Sequence, residues 1–231
     1  MFSSKEFVKS IVKENQALFQ ASQHNVKAYF DSKPAQEELV EHFIGRMVNE
    51  RMNMVEIAQA IATMPADTDP VELQLLTKQA MDEANHFRMV KEVIEHIQGS
   101  PVDVEAAIAK EAAKPTAKGA GLLAKYNAET DPVALAAYQL VAEGRAEAVW
   151  NIMADCITDE FISSSYRKIA KDEGFHSNIG GRKLEQLVTE SNAKEVQALV
   201  TAMRKDLYEI SCKNTVATES GKALVADAYG W

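Results

Sequence analysis

Asp-Glu-x-x-His occurs twice, in "MDEANHF" at 81–87 and in "KDEGFH" at 171–176, in a chain that has only five histidines. A glutamate and a histidine three residues apart share a face only on a helix, so each copy demands a helix that offers a carboxylate and an imidazole to one point. One Glu-x-x-His arises readily on a charged, solvated helix. Two copies, each with an aspartate in the same place, demand two such helices and partners for both.

The rest of the chain is written for helices. Leu, Ala, Glu, Lys and Met dominate, and no segment alternates with period two for long enough to be a strand. The expected fold class is all-α, with a single domain over 1–231. A first helix is predicted over about 4–30, ending before "DSKP", and a second over about 35–63. In "TDPVEL" Asp69 caps a third helix with Pro70 at its first position, running to about Gln98; "TDPVAL" repeats the device with Asp131 and Pro132, for a helix to about Asp155. Another helix follows "CITDE" from about Asp159 to Val188, and the last 40 residues read as helical. The segment 99–130, broken by prolines and glycines, is too long for a hairpin turn and reads as a crossover. Four long helices joined this way describe a four-helix bundle over about 35–188, with additional N- and C-terminal helices.

Counting outward from the turns tests whether the motifs meet. Glu50 and Glu83 are equidistant from the turn at 66–67, and Glu143 and Glu173 from Thr158, so Glu50 and Glu143 are level with the two motifs. Glu83 and Glu143 lie 14 and 12 residues after their caps, a mismatch of about 3 Å at 1.5 Å per residue. Glu50 interrupts an apolar stripe of Phe43, Met47, Met54, Ile57 and Ile61, whereas Glu56 aligns with Asn49, Asn53 and Ala60 and is expected on the surface. Glu143 sits in a second stripe with Ala136, Leu140, Glu147 and Trp150. Four buried carboxylates at one level repel unless cations join them. The expected metal ligands are therefore Glu50, Glu83, His86, Glu143, Glu173 and His176. Asp82 and Asp172 are placed to hold the histidine of the opposite motif helix through its other ring nitrogen.

These residues resemble the ferritin-like di-iron carboxylate superfamily, and within it the oxygen-activating oxidase and monooxygenase branch. The resemblance implies two Fe ions, or a Mn/Fe pair, with Glu50, Glu83 and His86 on one ion and Glu143, Glu173 and His176 on the other. It further implies O2 as co-substrate, a small organic substrate, and a reductase or ferredoxin as electron donor. The alternatives are a ferroxidase or other iron-handling protein and a peroxidase, although the cysteines of a rubredoxin centre are missing. The chain departs from the radical-forming members, which carry a tyrosine where this sequence has Val90, leaving Tyr138 and Tyr166 as redox neighbours. It also has Glu147 where hydroxylating members carry a small hydroxyl residue. Glu147 is then either a seventh carboxylate at the metals, with a catalytic role, or the partner of an arginine such as Arg51 or Arg145. Gly174 is read as close packing, a local bulge or a tolerated helical glycine. Met47, Met54, Phe87, Leu140 and Trp150 are read as an apolar wall of a substrate site or as ordinary core.

A formal net charge of -9 disfavours nucleic acid as partner. No run of about 18 apolar residues exists to span a bilayer. Cys156 and Cys212 form no disulfide framework or thiolate cluster, which fits a reducing compartment, so a cytoplasmic protein is expected, and the oxygenase resemblance implies a monomer or homodimer.

Overall fold

The computed structural model describes residues 2–114, 121–128 and 130–230. Its helices are α1 (Ser4–Glu14), α2 (Gln16–Asp31), α3 (Gln36–Thr63), α4 (Pro70–Gln98), α5 (Val104–Ala112), α6 (Gly121–Lys125), α7 (Pro132–Tyr138), α8 (Gly144–Cys156), α9 (Glu160–Leu187), α10 (Ala193–Asn214) and α11 (Glu219–Tyr229), with a π-helical turn at Gln139–Glu143 joining α7 to α8. The described residues contain no strand.

The helix starts are written in the sequence. Asp69 accepts from the Val71 N–H at 3.0 Å, Asp131 from Val133 N–H at 2.9 Å, and Asp159 from Ile162 N–H at 3.1 Å, each satisfying a donor that the first turn leaves open. α4 ends at Gly99, whose φ of 71° is the left-handed cap conformation.

The predicted first helix is two. Asn15 leaves the helical region at φ -94° and ψ 9°, and its side-chain amide donates to the Ile11 carbonyl at 2.8 Å, so a local side-chain bond competes with continuation of the helix. The 99–130 crossover carries α5 and α6, while 115–120 and 129 lie outside the described residues.

α3 packs along α4, and α9 packs against α4, α7, the π turn and α8. α2 lies against α8, α10 and α11, α1 against α9, and α10 against α7 and the π turn, so the terminal helices pack on the α7–α9 half of the bundle. The apolar core is in two parts. One gathers Ile57, Leu76, Tyr138, Val141, Leu184, Val200 and Leu207; the other gathers Phe43, Met47, Val90, Val93, Trp150, Tyr166 and Ile169. Between them runs a buried polar layer that contains Glu50, Asn53, Gln79, Glu83, His86, Glu143, Glu173 and His176. Glu56, expected on the surface, is half-buried, and Asn53 and Ala60, which align with it, are buried; Asn53 accepts from the Tyr138 hydroxyl at 3.0 Å and Ala60 belongs to the first apolar part.

Candidate metal centre

The six residues predicted from helix counting converge. One ligand atom from each of Glu50, Glu83, His86 and Glu173 lies within 4.8 Å of the others, and so does one from each of Glu83, Glu143, Glu173 and His176. The two groups share Glu83 and Glu173, so each half has its own histidine and its own terminal glutamate, with two carboxylates common to both. His86 Nδ1 stands 3.6 Å from Glu50 Oε2 and 3.6 Å from Glu173 Oε1; His176 Nδ1 stands 3.3 Å from Glu83 Oε1 and 3.1 Å from Glu173 Oε2. Both rings thus turn Nδ1 inward.

The outer nitrogens cross between the helices. His176 Nε2 is 3.1 Å from Asp82 Oδ2, and His86 Nε2 is 3.4 Å from Asp172 Oδ2. Lys78 is paired with Asp82 and lies over the Phe175 ring at 4.7 Å. An Nε2–H held by a carboxylate leaves Nδ1 as the lone-pair donor facing the cluster.

The electrostatics describe an acid cluster short of cations. Burial, then the charges of Glu173 and Glu83, push Glu50 up to about 8 against the pull of His86. Burial and the same two glutamates hold Glu143 well above the usual carboxylate range. Burial would raise Glu83 as well, but the flanking imidazoles of His176 and His86 outweigh it and bring it to about 2. Burial opposes charge on His176, yet Asp82, Glu173 and Glu83 raise it to about 12; burial opposes charge on His86 too, and Asp172, Glu50 and Glu83 hold it well above its ordinary value. Glu50 Oε2, both oxygens of Glu83 and His86 Nδ1 are buried with no hydrogen-bond partner, and all belong to the first group. Orphaned buried acceptors around one point, supplied by imidazole and carboxylate, fit divalent first-row metal ions.

Sequence reasoning missed Gln79. Its amide donates to Glu143 Oε1 at 3.0 Å and accepts from Gln139 at 2.6 Å. The repeated helix start carried the signal, because it places Gln79 one turn before Glu83 on the face that bears the motif. The π turn was also missed. It inserts an extra residue just before α8, so Glu143 is buried while Glu147, predicted on the same stripe, rotates out and is exposed. Glu147 belongs to neither four-residue group and makes no ion pair with Arg51 or Arg145 among the described residues. Its carboxylate instead lies over Gly174, where a Cβ would come within 2.9 Å of it, so that glycine gives close packing and no bulge.

Beside the cluster opens a pocket of about 470 Å³, walled by parts of α2, α3, α5, the π turn, α8 and α10 and reaching Glu50, Glu143 and Glu173. Tyr138 lines it and donates to Asn53 at 3.0 Å. None of Met47, Met54, Phe87, Leu140 and Trp150 lines this pocket; Met47, Phe87, Leu140 and Trp150 pack in or against the two apolar cores, and Met54 is half-buried. Val90 and Tyr166 are core as well.

No family model and no curated protein matches the sequence. Among solved structures, the crystal structure of a TenA homolog from Pseudomonas syringae pv. tomato str. DC3000 is similar, with a TM-score of 0.66 at 12% sequence identity, covering 90% of this chain and 92% of that chain. That likeness over nearly the whole chain overturns the ferritin-like resemblance. With it go the readings as a di-iron oxidase or monooxygenase and as a ferroxidase, iron-handling protein or peroxidase, which rested on family. The physical reason is that six ligands constrain only four helical segments at one level. How α1, α2, α10 and α11 close around those segments decides the fold, and here they close into the all-helical arrangement shared with the TenA homolog.

Proposed function

We propose that the chain is a metal-dependent enzyme that binds two divalent ions in the buried layer and acts on a small polar molecule entering the adjoining pocket. The observation that carries this is the pair of four-residue groups sharing Glu83 and Glu173. Glu50, Glu83 and His86 would hold one ion and Glu143, Glu173 and His176 the other, with iron the ion expected from the mixed imidazole and carboxylate donors. Bound there, the ions would supply Lewis acidity, polarising a substrate atom or lowering the pKa of water. Asp82 and Asp172 fix the orientation of the two imidazoles. Gln79 orients Glu143 through its amide, and the enclosing helices keep bulk water from the layer. The fold shared with the TenA homolog supports an enclosed site in a helical shell, while the ligand set is read from this chain alone.

The test is to incubate the purified chain with Fe(II), Mn(II), Co(II) or Zn(II), desalt it and measure metal. The reading expects two ions per chain, reduced by more than half in His86→Ala and His176→Ala. Absence of stoichiometric metal under all four conditions would sink it. The loaded protein is then screened by mass spectrometry for consumption of small polar compounds, with Glu50→Ala as the control that should show none.

A further inference from the structure

The pocket wall carries two arginines that no acid contacts among the described residues. Arg145 is 7% exposed, and its Nε–H is buried without a partner. Arg46 lies with its guanidinium 5.5 Å from the centre of the Trp150 ring. Neither guanidinium makes a hydrogen bond or ion pair among the described residues. His42, on the same wall, has a buried Nε2 with no partner. The acids nearby are otherwise engaged: Glu41 is paired with Lys110 at 2.6 Å and Lys114 at 2.5 Å, Glu111 is paired with Lys114, and Glu38 accepts from the Ala35 N–H at 3.0 Å. Glu50 and Glu173, whose charges Arg46 feels without touching them, belong to the ligand groups of the metal layer. A buried charge is retained at high cost unless something pairs it, and a chain of net charge -9 has acids to spare for the purpose. Two unpaired guanidiniums on one cavity wall therefore point to a partner that enters from outside.

We propose that the pocket binds a small organic carboxylate, with its anionic end on Arg145 and Arg46 and its other end at the metal cluster. The proposal names the substrate class of the site described above and rests on that reading for which end of the molecule reacts. The helix places the parts: Arg46 is one turn and His42 two turns before Glu50, so the anion-binding wall stands on the order of 6–12 Å along α3 from the cluster. That is the reach of a short-chain acid, and a pocket of about 470 Å³ accommodates one. The Arg145 fork presents parallel N–H donors to the two oxygens of a planar carboxylate, and His42 offers a further polar contact at Nε2. A monoanion is favoured over a phosphate because the pocket lining carries six glutamates against two lysines and the two arginines, an excess of acid that would repel a second charge.

The experiment uses the full chain after Zn(II) incubation and desalting, with metal measured on every sample. Calorimetric titrations compare hexanoate, its neutral isostere hexanamide, and phenyl phosphate. Hexanoate should bind at least tenfold more tightly than hexanamide. Arg145→Met and Arg46→Met should each weaken hexanoate at least tenfold while metal content stays at the wild-type value. Arg145→Lys, which keeps the charge without the planar fork, should fall between and serves where Arg145→Met fails to fold. Equal affinity for hexanoate and hexanamide, or affinity unchanged in the arginine variants, overturns the proposal. Phenyl phosphate binding more tightly than hexanoate, in an Arg145-dependent way, overturns the carboxylate assignment. Arginine-dependent hexanoate binding in wild-type protein that holds no metal would sustain the anion site and remove the metal reading, so the two failures are distinguishable.

Discussion

Asp82 Oδ2 lies 3.1 Å from Nε2 of His176, a residue 94 positions later in the chain and on a different helix. The reciprocal contact, Asp172 to His86, is 3.4 Å, and the Asp172 side chain is 28% exposed against 9% for Asp82. Each motif therefore orients the histidine of the other, which explains why the aspartate is written in both copies.

Replacing Asp82 by Asn keeps the shape and removes the charge that fixes the imidazole. The expected loss in metal affinity is about 10–100-fold, with two ions per chain recovered at high metal concentration. Asp172→Asn should lose less, because its contact is longer and more solvated. Competition titration with a metal-binding dye measures both, and unchanged affinity in Asp82→Asn would show that the crosswise contact has no part in metal binding.

Glu50 offers a test with two signs. Without metal its carboxylate is buried beside Glu83 and Glu173, so Glu50→Gln removes repulsion and should raise the melting temperature of the metal-free protein. With metal the same change removes a ligand, so the loaded variant should melt lower than loaded wild type and hold fewer than two ions. Glu56→Ala, outside both ligand groups, should leave metal content at the wild-type value. Melting curves with and without chelator read both; a loss of stability in both states would assign Glu50 a packing role only.

Much of this layer was legible because helical spacing is rigid. Glu50 and Glu143 follow from level and face, Asp69, Asp131 and Asp159 from capping, and the crosswise aspartates from the antiparallel pairing of α4 and α9. What was not legible depends on tertiary context. The Asn15 break rests on one side-chain hydrogen bond, and the π turn rests on how α9 approaches the backbone at 136–140. The family went wrong for a related reason. The motif describes a coordination layer, whereas the terminal helices that distinguish one helical fold from another carry no comparable spacing signal.

Gly180 is where α9 meets the π turn. A Cβ there would lie 2.5 Å from Gln139 Cβ and the Leu140 nitrogen and 2.7 Å from the Ala136 carbonyl oxygen, largely backbone that cannot swing away. Gly180→Ala should therefore destabilise the protein by about 2–3 kcal/mol and lower metal content, since the displaced turn ends at Glu143. At Gly181 the nearest atom is Leu140 Cδ1 at 3.5 Å, an ordinary contact, so Gly181→Ala should be neutral or gain up to about 1 kcal/mol of helix propensity. Urea unfolding of the pair decides it, and equal stability would mean that the close approach is absent.

His42 gives the pH dependence its sign. It is stacked on Tyr29 at 5.0 Å and edge-on to Phe30 at 5.4 Å, and burial, then the charges of Arg46, Arg145 and Lys114, lower its pKa to about 3. The folded protein keeps the ring neutral at pH values where the unfolded chain, at its ordinary value near 6.5, takes up a proton. Between pH 6.5 and about 3 the unfolded state therefore binds more protons, and stability falls as the pH drops, by up to about 1.4 kcal/mol per unit. Above pH 6.5 both states are neutral and the contribution vanishes. His42→Gln removes this slope, so its stability relative to wild type should improve by about 2 kcal/mol on going from pH 7 to pH 5. Urea unfolding at the two pH values measures the difference. A gap between variant and wild type that does not change with pH would show that His42 is protonated in the folded protein, with the pocket able to solvate its charge.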